Sequence, residues 1–588
     1  MPIEPFEMLK LAIGLILITI PGYFWSFIFS KKLTTFERIT FGFVVSLGLL
    51  TLSSYFFVIV FKFTYSFIFL LILYLIYTLP VIILYLLSIE KFGLPKIKLK
   101  PIKMKYFLLI GILIFISFMV FLPHILNNHY LPFHVDEWIH WSYSKAVIET
   151  GKTAFTNPYT GGGITASPEV GFHISTACIH YLSGSNLLTI FLFMPTIMSV
   201  LSGLIVFNIG ERSKKKYGLE AAFLIAFIPT TARYLGPKFY VAVAMGLLLL
   251  IFTIWLAQLK IVQATPILSM MVLFTFFVHP VTALVIIIFL LIYSAILLLH
   301  KKYKISFLTG IFSLLPFLIF FLLSTRWSKL SDEFFKALAG EEYILELPRI
   351  WISFEHLGIL TWVLFIIGTY FSFTRGKSLK KTLSFLALVL IVLIGLYDRF
   401  GYGYPIIYER TFLYLFVPVI LIAAFGLSEL RHSISDLYKN DKFKDFKNQI
   451  KNINLIAPIA ICLVILIIGV NAHASTQYYE MINENDYETF IWINDNIDRY
   501  RDENNTIKRG LINPFKASPF SAITGLNIIS SNMHPIYGIK RQYEVKRFLN
   551  DKCRDTSFLN KYKIGLVYGK CENENLTKVY ENVYLYLR

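Results

Sequence analysis

Two adjacent carboxylates, Asp136 and Glu137, stand in the longest polar connection between apolar runs of the sequence, residues 125–186. A carboxylate at such a boundary can take the proton of an attacking hydroxyl, and general-base catalysis contributes about 10²–10⁴ in rate. We therefore predict that Asp136 and Glu137 form a catalytic carboxylate pair that removes or orients the proton of the acceptor. The alternative is that Asp136 only caps a helix, because acidic side chains are favoured at helix N-termini.

Arg410 immediately precedes the apolar run TFLYLFVPVILIAAFGL. An arginine at membrane depth is costly unless it meets an anion or a cavity, and cations stabilise a leaving phosphate as its charge grows. We predict that Arg410 binds a lipid phosphate, with snorkelling of the guanidinium to the interface as the alternative. Substrate binding is also predicted for four residues expected on the same face: His279, Arg233, Lys238 and His140.

Histidines accompany the carboxylates, with His134 and His140 flanking them and His173 and His180 seven residues apart on one predicted helical face. No HExxH or CxxC pattern occurs with these histidines, so no metal site is predicted. The sequence indicates no cofactor, and a divalent metal is left open. Whether Cys553 and Cys571 pair is also left open, since two cysteines are weak evidence for a disulfide.

The elements that must position these side chains are membrane helices. Of the 588 residues 56% are hydrophobic and 15% are charged, so most of the chain cannot face water. The apolar runs are of the length that spans a bilayer. They comprise 10–29, 39–61, 65–88, 105–124, 187–209, 219–235, 239–259, 265–279, 282–299, 306–324, 357–374, 382–397, 411–428 and 454–472. We predict about 14 transmembrane helices, the first retained rather than cleaved as a signal peptide.

The net charge of +19 comes from Lys and Arg in short connections between apolar runs. Positive residues near helix ends are held in the cytoplasm, so this pattern predicts topology and gives no reason to expect nucleic-acid binding. All basic connections fall on one side if the stretch 263–299 divides at His279-Pro280, where proline removes a backbone donor. The N-terminus and the C-terminal tail are then extracytoplasmic, in a multi-pass protein of the cell membrane.

Three regions are predicted. Residues 1–104 form a three-helix membrane segment of unknown role, and residues 105–472 a transmembrane module with long outer loops at 125–186, 325–356 and 398–410. Residues 473–588 form a small extracytoplasmic α/β domain, in which YETFIWINDNI is an amphipathic helix and IKRGLIN, LNIISS, KIGLVYG and NVYLYLR are strands. A second amphipathic helix, beginning near Glu137, is predicted to lie on the bilayer surface with Trp138 and Trp141 at headgroup depth.

These features resemble the GT-C class of membrane glycosyltransferases. HVDEWIHWSYSKAVIETG resembles the Asp-Glu loop of protein O-mannosyltransferases and of the aminoarabinose transferases of lipid A, and YERTFLYLFVPVILIAAFGL resembles a late-helix segment of archaeal and bacterial members. The resemblance implies inverting sugar transfer from a polyprenyl- or dolichyl-phosphate donor to an extracytoplasmic glycan, lipid or protein. It also implies that Asp136 is the base toward the acceptor hydroxyl, that Glu137 assists it, and that Arg410 is a lipid-phosphate ligand.

The sequence departs from this class in three places. Three helices precede the one that would begin the shared module. The turn TARYLGPKFY lacks the carboxylate of the second acidic motif of oligosaccharyltransferases, and the tail lacks a WWDYG-like motif. The last two departures favour a hydroxyl acceptor over metal-dependent transfer to asparagine.

Two other functions compete with sugar transfer. The first is a multi-pass transporter or lipid flippase, although few charges fall within the apolar runs, where such proteins place their sites. The second is a non-catalytic scaffold of envelope assembly, whose outer loop binds a partner.

Overall fold

The protein is a bundle of apolar helices with a small α/β tail. The computed structural model describes residues 4–586, except 31, 93–103, 166, 232–233, 260–263, 324–350, 401–407, 440–446, 501–506 and 533–537. Arg233 and most of the predicted loops 325–356 and 398–410 therefore lie outside the described residues. Within them, nine helices are long and apolar enough to cross a membrane, and three shorter apolar helices accompany them. The chain is thus a polytopic helical membrane protein.

The first half of the chain forms a series of helices, two of which lie within the loop 125–186. They are α1 (Pro5–Phe29), α2 (Thr35–Val60), α3 (Phe67–Phe92), α4 (Met104–Asn127), α5 (Val135–Thr150), α6 (Val170–Ser183), α7 (Leu187–Glu211), α8 (Gly218–Ile225) and α9 (Ala242–Gln258). The two-stranded hairpin of β1 (Phe155–Thr156) and β2 (Ile164–Thr165) lies between α5 and α6.

The remaining bundle helices are α10 (Ala264–Val278), α11 (Pro280–Leu299), α12 (Tyr303–Leu323), α13 (Trp351–Arg375), α14 (Ser378–Phe400), α15 (Tyr408–Lys439) and α16 (Lys447–Ala474). The predicted division at His279-Pro280 is confirmed, because α10 ends at Val278 and α11 begins at Pro280. Proline suits the first helical position, where its missing N–H would have no intrahelical partner. The side chain of His279 accepts the N–H of Thr282 and so caps α11.

The predicted helix count of about 14 is not confirmed, because the run 219–235 is not one helix. α8 ends at Ile225 after eight residues, about 12 Å of helix, and the described residues from Ala226 to Val241 form no helix. Irregular backbone at membrane depth is tolerated only where protein surrounds it. The segment meets this condition, since Phe227, Ile228 and Tyr240 are almost completely buried.

The bundle has two chemically different ends. At the basic end, ion pairs join helix termini: Lys105 with Glu211, Arg212 with Glu37, Lys215 with Glu429 and Arg431 with Glu220. At the opposite end, which we call the site end, Oε2 of Glu7 accepts the N–H of Asn186 at 2.8 Å, and the loop 125–186 begins and ends. The basic connections and the acidic pair Asp136-Glu137 are therefore separated by the length of the bundle.

The first helices are packed into the bundle rather than appended to it. α1 and α2 approach closely, since a Cβ built on Gly22 would lie 2.5 Å from the carbonyl oxygen of Gly42. α2 in turn contacts α6, where Thr51 Oγ1 and Ser175 Oγ are 2.9 Å apart in a buried hydrogen bond. α1 and α2 thus support α6, which lies within the loop of the acidic pair.

The tail contains a five-stranded mixed sheet in the order β4-β3-β5-β7-β6. Its strands are β3 (Arg509–Leu511), β4 (Asn527–Ile528), β5 (Leu566–Tyr568), β6 (Thr577–Tyr580) and β7 (Val583–Leu585). Four of them coincide with the segments predicted as strands, and β6 was not predicted. The accompanying helices are α17 (Glu484–Asn496), α18 (Ala517–Thr524), α19 (Gly538–Asn550) and α20 (Thr556–Tyr562).

The tail is docked on the loop 125–186. The N–H of Ile528 donates to the carbonyl oxygen of Tyr159 at 2.8 Å, and Ser521 Oγ donates to the carbonyl oxygen of Pro158 at 3.2 Å. A disulfide joins Cys553 to Cys571 on the tail. The tail therefore covers the loop that carries the acidic pair.

Candidate functional site

α5 begins with a reciprocal cap built from His134 and Glu137. Nδ1 of His134 accepts the N–H of Asp136 at 3.1 Å, and Oε2 of Glu137 accepts the N–H of His134 at 3.0 Å. A capping box of this kind satisfies backbone donors that a helix start leaves without intrahelical partners. Of the two adjacent acids, Glu137 rather than Asp136 completes the cap.

Glu137 also fixes the irregular segment that follows α8. Its Oε1 accepts the N–H of Tyr240 at 3.0 Å, and the side chain is only 3% exposed. Burial raises the pKa of Glu137 to about 7, against the lowering effect of its hydrogen bonds to backbone N–H groups. Both carboxylate oxygens are occupied by backbone donors, so Glu137 positions Asp136 and holds two segments together.

Asp136 is the more accessible member of the pair, with 35% of its side chain exposed. Its Oδ2 lies 3.9 Å from Nδ1 of His134. Residues four apart share a face of a helix, so Asp136 and His140 project from the same side of α5. That side is where the other ionisable groups of the site end converge.

A third carboxylate, Glu169, lies between two histidines. Its Oε2 is 3.7 Å from Nε2 of His140, and its Oε1 is 3.6 Å from Nε2 of His279. Glu169 is the N-cap residue of α6, yet its side chain accepts no capping hydrogen bond. Sequence reasoning did not single out this residue, although a carboxylate directly before a predicted amphipathic helix was a signal for it.

Burial shifts the pKa values of Glu169 and His140, which are in contact, in opposite directions. It raises the pKa of Glu169 to about 8, where the negative charge of Asp136 raises it further and the Arg410 guanidinium lowers it. Burial lowers the pKa of His140 to about 4. Near neutral pH both partners are therefore largely uncharged, and the contact is not an ion pair.

A hydrogen-bond network orients His279. Its Nδ1 accepts the N–H of Thr282 at 3.2 Å and lies 2.8 Å from Thr282 Oγ1 and 3.2 Å from the hydroxyl of Tyr414. Because Nδ1 accepts a backbone donor, the proton of the neutral imidazole is on Nε2, the atom nearest to Glu169. Burial lowers the pKa of His279 to about 3.

Arg410 lies in the first turn of α15, four residues before Tyr414, and its side chain is half-buried. Its positive charge lowers the pKa values of Glu169, His140 and His279. The charge of Arg410 therefore acts on the three residues at the centre of the candidate site.

Other predicted residues lie elsewhere. Lys238 lines a separate cavity between α4, α7, α8 and α9. His173 is buried with its Nε2 3.0 Å from Nδ1 of His140, whereas Nδ1 of His180 lies 2.8 Å from the carbonyl oxygen of Ser185. The two histidines of α6 therefore do not form one site.

Trp138 and Trp141 do not face the bilayer surface, as a helix lying on that surface would require. Trp138 is completely buried, and its Nε1–H donates to the carbonyl oxygen of Pro132 at 3.2 Å. Trp141 is 6% exposed and packs on Phe191 of α7. α6, α7 and α18 cover α5, so its apolar face contacts protein instead of lipid.

The arrangement offers one accessible carboxylate, one protonated carboxyl, a neutral imidazole N–H and a guanidinium within a shared region at the site end. Because burial raises the pKa of Glu169, its carboxyl group can donate a hydrogen bond beside an accessible carboxylate that can act as a base. Among the described residues, no group of three or more His, Cys, Asp and Glu side chains is arranged to hold a metal ion.

No protein-family model and no curated protein sequence matches the chain. Its structure is similar to that of the oligosaccharyltransferase of Archaeoglobus fulgidus. The apo form aligns with 11% identity and a TM-score of 0.54, covering 78% of this chain and 69% of that chain. The enzyme tethered with an acceptor peptide containing the NVT sequon aligns with 13% identity and a TM-score of 0.52, over 79% and 69%.

A third structure, archaeal oligosaccharyltransferase AglB from the same organism in complex with an inhibitory peptide and a dolichol-phosphate, aligns with 13% identity. Its TM-score is 0.52, over 79% of this chain and 69% of that chain. The likeness extends over most of both chains at low identity, so it shows a shared fold. The chain therefore has a GT-C-like helical membrane fold.

Proposed function

We propose that the protein transfers a sugar from a polyprenyl- or dolichyl-phosphate donor to a hydroxyl of an extracytoplasmic acceptor. The observation that carries the proposal is the convergence of Asp136, Glu169, His279 and Arg410 at one end of a GT-C-like bundle. The dolichol-phosphate in the AglB complex is a lipid phosphate of the kind that such a donor carries.

In the proposed reaction the acceptor oxygen attacks the anomeric carbon of the donor sugar. The new bond from oxygen to the anomeric carbon forms as the bond between that carbon and the phosphate oxygen breaks, with inversion. Asp136 takes the hydroxyl proton, because it is the accessible carboxylate of the site. The bonding pair leaves with the polyprenyl phosphate, and the proton later passes from Asp136 to solvent.

The other groups of the proposed site suit the leaving phosphate. Arg410 supplies positive charge, and the Nε2–H of His279 and the protonated carboxyl of Glu169 supply hydrogen-bond donors. Fixed donors directed at a developing anion are among the largest contributions to catalysis. Glu137 assists by holding the start of α5 against Tyr240.

Orientation across the membrane is part of the proposal. The basic end faces the cytoplasm, as positive residues near helix ends require. The site end and the tail then lie outside, where the disulfide between Cys553 and Cys571 meets an oxidising environment.

The deciding experiment compares wild type with Asp136→Asn at matched expression in membranes. A panel of labelled polyprenyl-phosphate sugars is supplied, and loss of label from the lipid fraction is followed. We expect donor turnover by wild type and at least about a hundredfold less in the variant. Glu149→Gln, in the exposed last turn of α5, is the matched control and should retain wild-type turnover.

Each alternative predicts a different result. Equal turnover by wild type and Asp136→Asn would keep the reaction class and reject Asp136 as base. A scaffold would complement a deletion strain as well with Asp136→Asn as with wild type. A flippase or transporter would move its lipid or solute across vesicles without cleaving the donor, and its sensitive residues would lie at helix midpoints.

A further inference from the structure

A lysine lies in the interior of the helix bundle without a counterion among the residues that the structure describes. Lys238 is 5% exposed, and its Nζ has no hydrogen-bond partner in the described structure. No described carboxylate lies within ion-pair distance of Nζ, and the nearest aromatic ring, that of Tyr478, is 6.0 Å away at the limit of a cation–π contact.

Lys238 lines a cavity of about 20 Å³. Two serines of α7 share this lining: Ser202, and Ser199, whose Oγ makes only a long 3.5 Å hydrogen bond to the carbonyl oxygen of Pro237. Most of the other lining side chains are aliphatic. The volume accepts one particle about the size of a water molecule, and a chloride ion is only slightly larger. The cavity therefore combines one cation and two hydroxyl donors with a dry wall.

Leaving an unpaired ammonium in apolar surroundings is unfavourable, so the group either gives up its proton or acquires an anion. The lining favours the second outcome. No described group offers Nζ a hydrogen bond, whereas an anion in the cavity would pair with the ammonium and could accept a serine hydroxyl. The size of the cavity limits the anion to a small one.

We propose that this cavity is a binding site for a small monovalent inorganic anion of the halide class, held by Lys238 with the hydroxyls of Ser199 and Ser202. The site is separate from the carboxylates of the proposed transfer site. The bound anion neutralises Lys238 and thereby stabilises the irregular segment between α8 and α9, in which Lys238 lies.

The test measures the unfolding midpoint of the detergent-purified full chain in sodium chloride, sodium bromide and sodium gluconate at equal ionic strength. We expect the midpoint to rise with halide concentration and to remain flat in gluconate, which is too large for the cavity. In Lys238→Met the halide-dependent rise should disappear, whereas Lys302→Met, an exposed lysine changed in the same way, should retain it.

A graded variant and a variant-free measurement complete the test. Ser202→Ala should weaken halide binding about tenfold, as expected for one lost hydrogen bond to a charged partner. The chloride NMR line of a wild-type sample should broaden because the ion binds, and it should sharpen again when added bromide displaces the chloride. This measurement needs no folded variant.

Two results would overturn the proposal. One is a wild-type midpoint that responds equally to halide and gluconate, with no line broadening. The other is a midpoint that responds only to a short-chain polyprenyl phosphate and loses this response in Lys238→Met, since the ligand would then be a lipid phosphate. Neither result bears on sugar transfer, which the Asp136→Asn comparison tests separately.

Discussion

Oε2 of Glu169 lies 3.7 Å from Nε2 of His140, in contact across the start of α6 and the middle of α5. Burial raises the pKa of Glu169 to about 8 and lowers that of His140 to about 4. The carboxyl thus keeps its proton at a pH at which an exposed glutamate has lost it.

Glu169 should consequently make stability depend on pH. Its pKa is about 8 in the folded state against 4.5 ordinarily, so between these values the folded chain binds a proton that the unfolded chain lacks. The free energy of unfolding therefore falls as pH rises through this window. In Glu169→Gln the melting midpoint should fall less steeply from about pH 5 to about pH 8. Glu149→Gln is the control, and identical slopes for wild type and Glu169→Gln would contradict the assignment.

Substitution of Glu137 should lower the free energy of unfolding more than substitution of Asp136. Glu137→Ala leaves the backbone N–H groups of His134 and Tyr240 without their acceptor, at about 1–3 kcal/mol for each group. We expect its free energy of unfolding to drop by about 2–5 kcal/mol in denaturant titration. Asp136→Ala should cost less than about 1 kcal/mol, as usual for an accessible side chain. A larger loss in Asp136→Ala than in Glu137→Ala would show that the cap is wrongly assigned.

The close approach of α1 and α2 gives a matched pair of glycine substitutions. In Gly22→Ala the new Cβ would meet the carbonyl oxygen of Gly42 at 2.5 Å, so the helices must separate. Gly111→Ala on α4 meets nothing within 4 Å and gains helix propensity. We expect Gly22→Ala to lower the free energy of unfolding by about 1–3 kcal/mol and Gly111→Ala to leave it unchanged or raise it. Equal melting midpoints would mean that α1 is not docked at Gly42.

Lys145 joins the bundle to the tail. Its Nζ donates to the carbonyl oxygen of Ile523 at 2.8 Å and lies 3.4 Å from Oδ1 of Asn494. Lys145→Met should loosen the tail, and limited proteolysis between α16 and α17 should become about tenfold faster, as for one lost charged hydrogen bond. Lys152→Met removes an exposed lysine from the same loop and should leave the cleavage rate unchanged. Equal rates in both variants would mean that Lys145 does not secure the tail.

The sequence predicted most helices because length and hydropathy determine which segments cross a bilayer. It also predicted the break at His279-Pro280, since proline has a local effect on backbone geometry. It did not predict that the run 219–235 is mostly irregular. Hydropathy reports how apolar a segment is, and a segment enclosed by other helices need not be helical to be buried.

Only part of the candidate site was predicted, because some of its contacts depend on the tertiary fold. Asp136, His140, His279 and Arg410 were identified from their types and their positions at the ends of apolar runs. Glu169 was not, because its contacts with His140 and His279 are made between different helices and leave no local spacing in the sequence. Lys238 was grouped with Arg410 on the basis of a shared face, and the cavity that it lines includes none of the carboxylates or histidines of the candidate site.

The docking of the tail also has a consequence for biosynthesis. Ser521 and its acceptor Pro158 are separated by 363 residues. At roughly 5–20 residues per second, the ribosome adds the docking partner about 20–70 s after it has made the loop 125–186. During that interval Asp136 belongs to a nascent chain whose loop is uncovered, and a chain that stalls before Ser521 never closes it. Translation thus determines when the site becomes complete, and truncated products reach the membrane with an unfinished one.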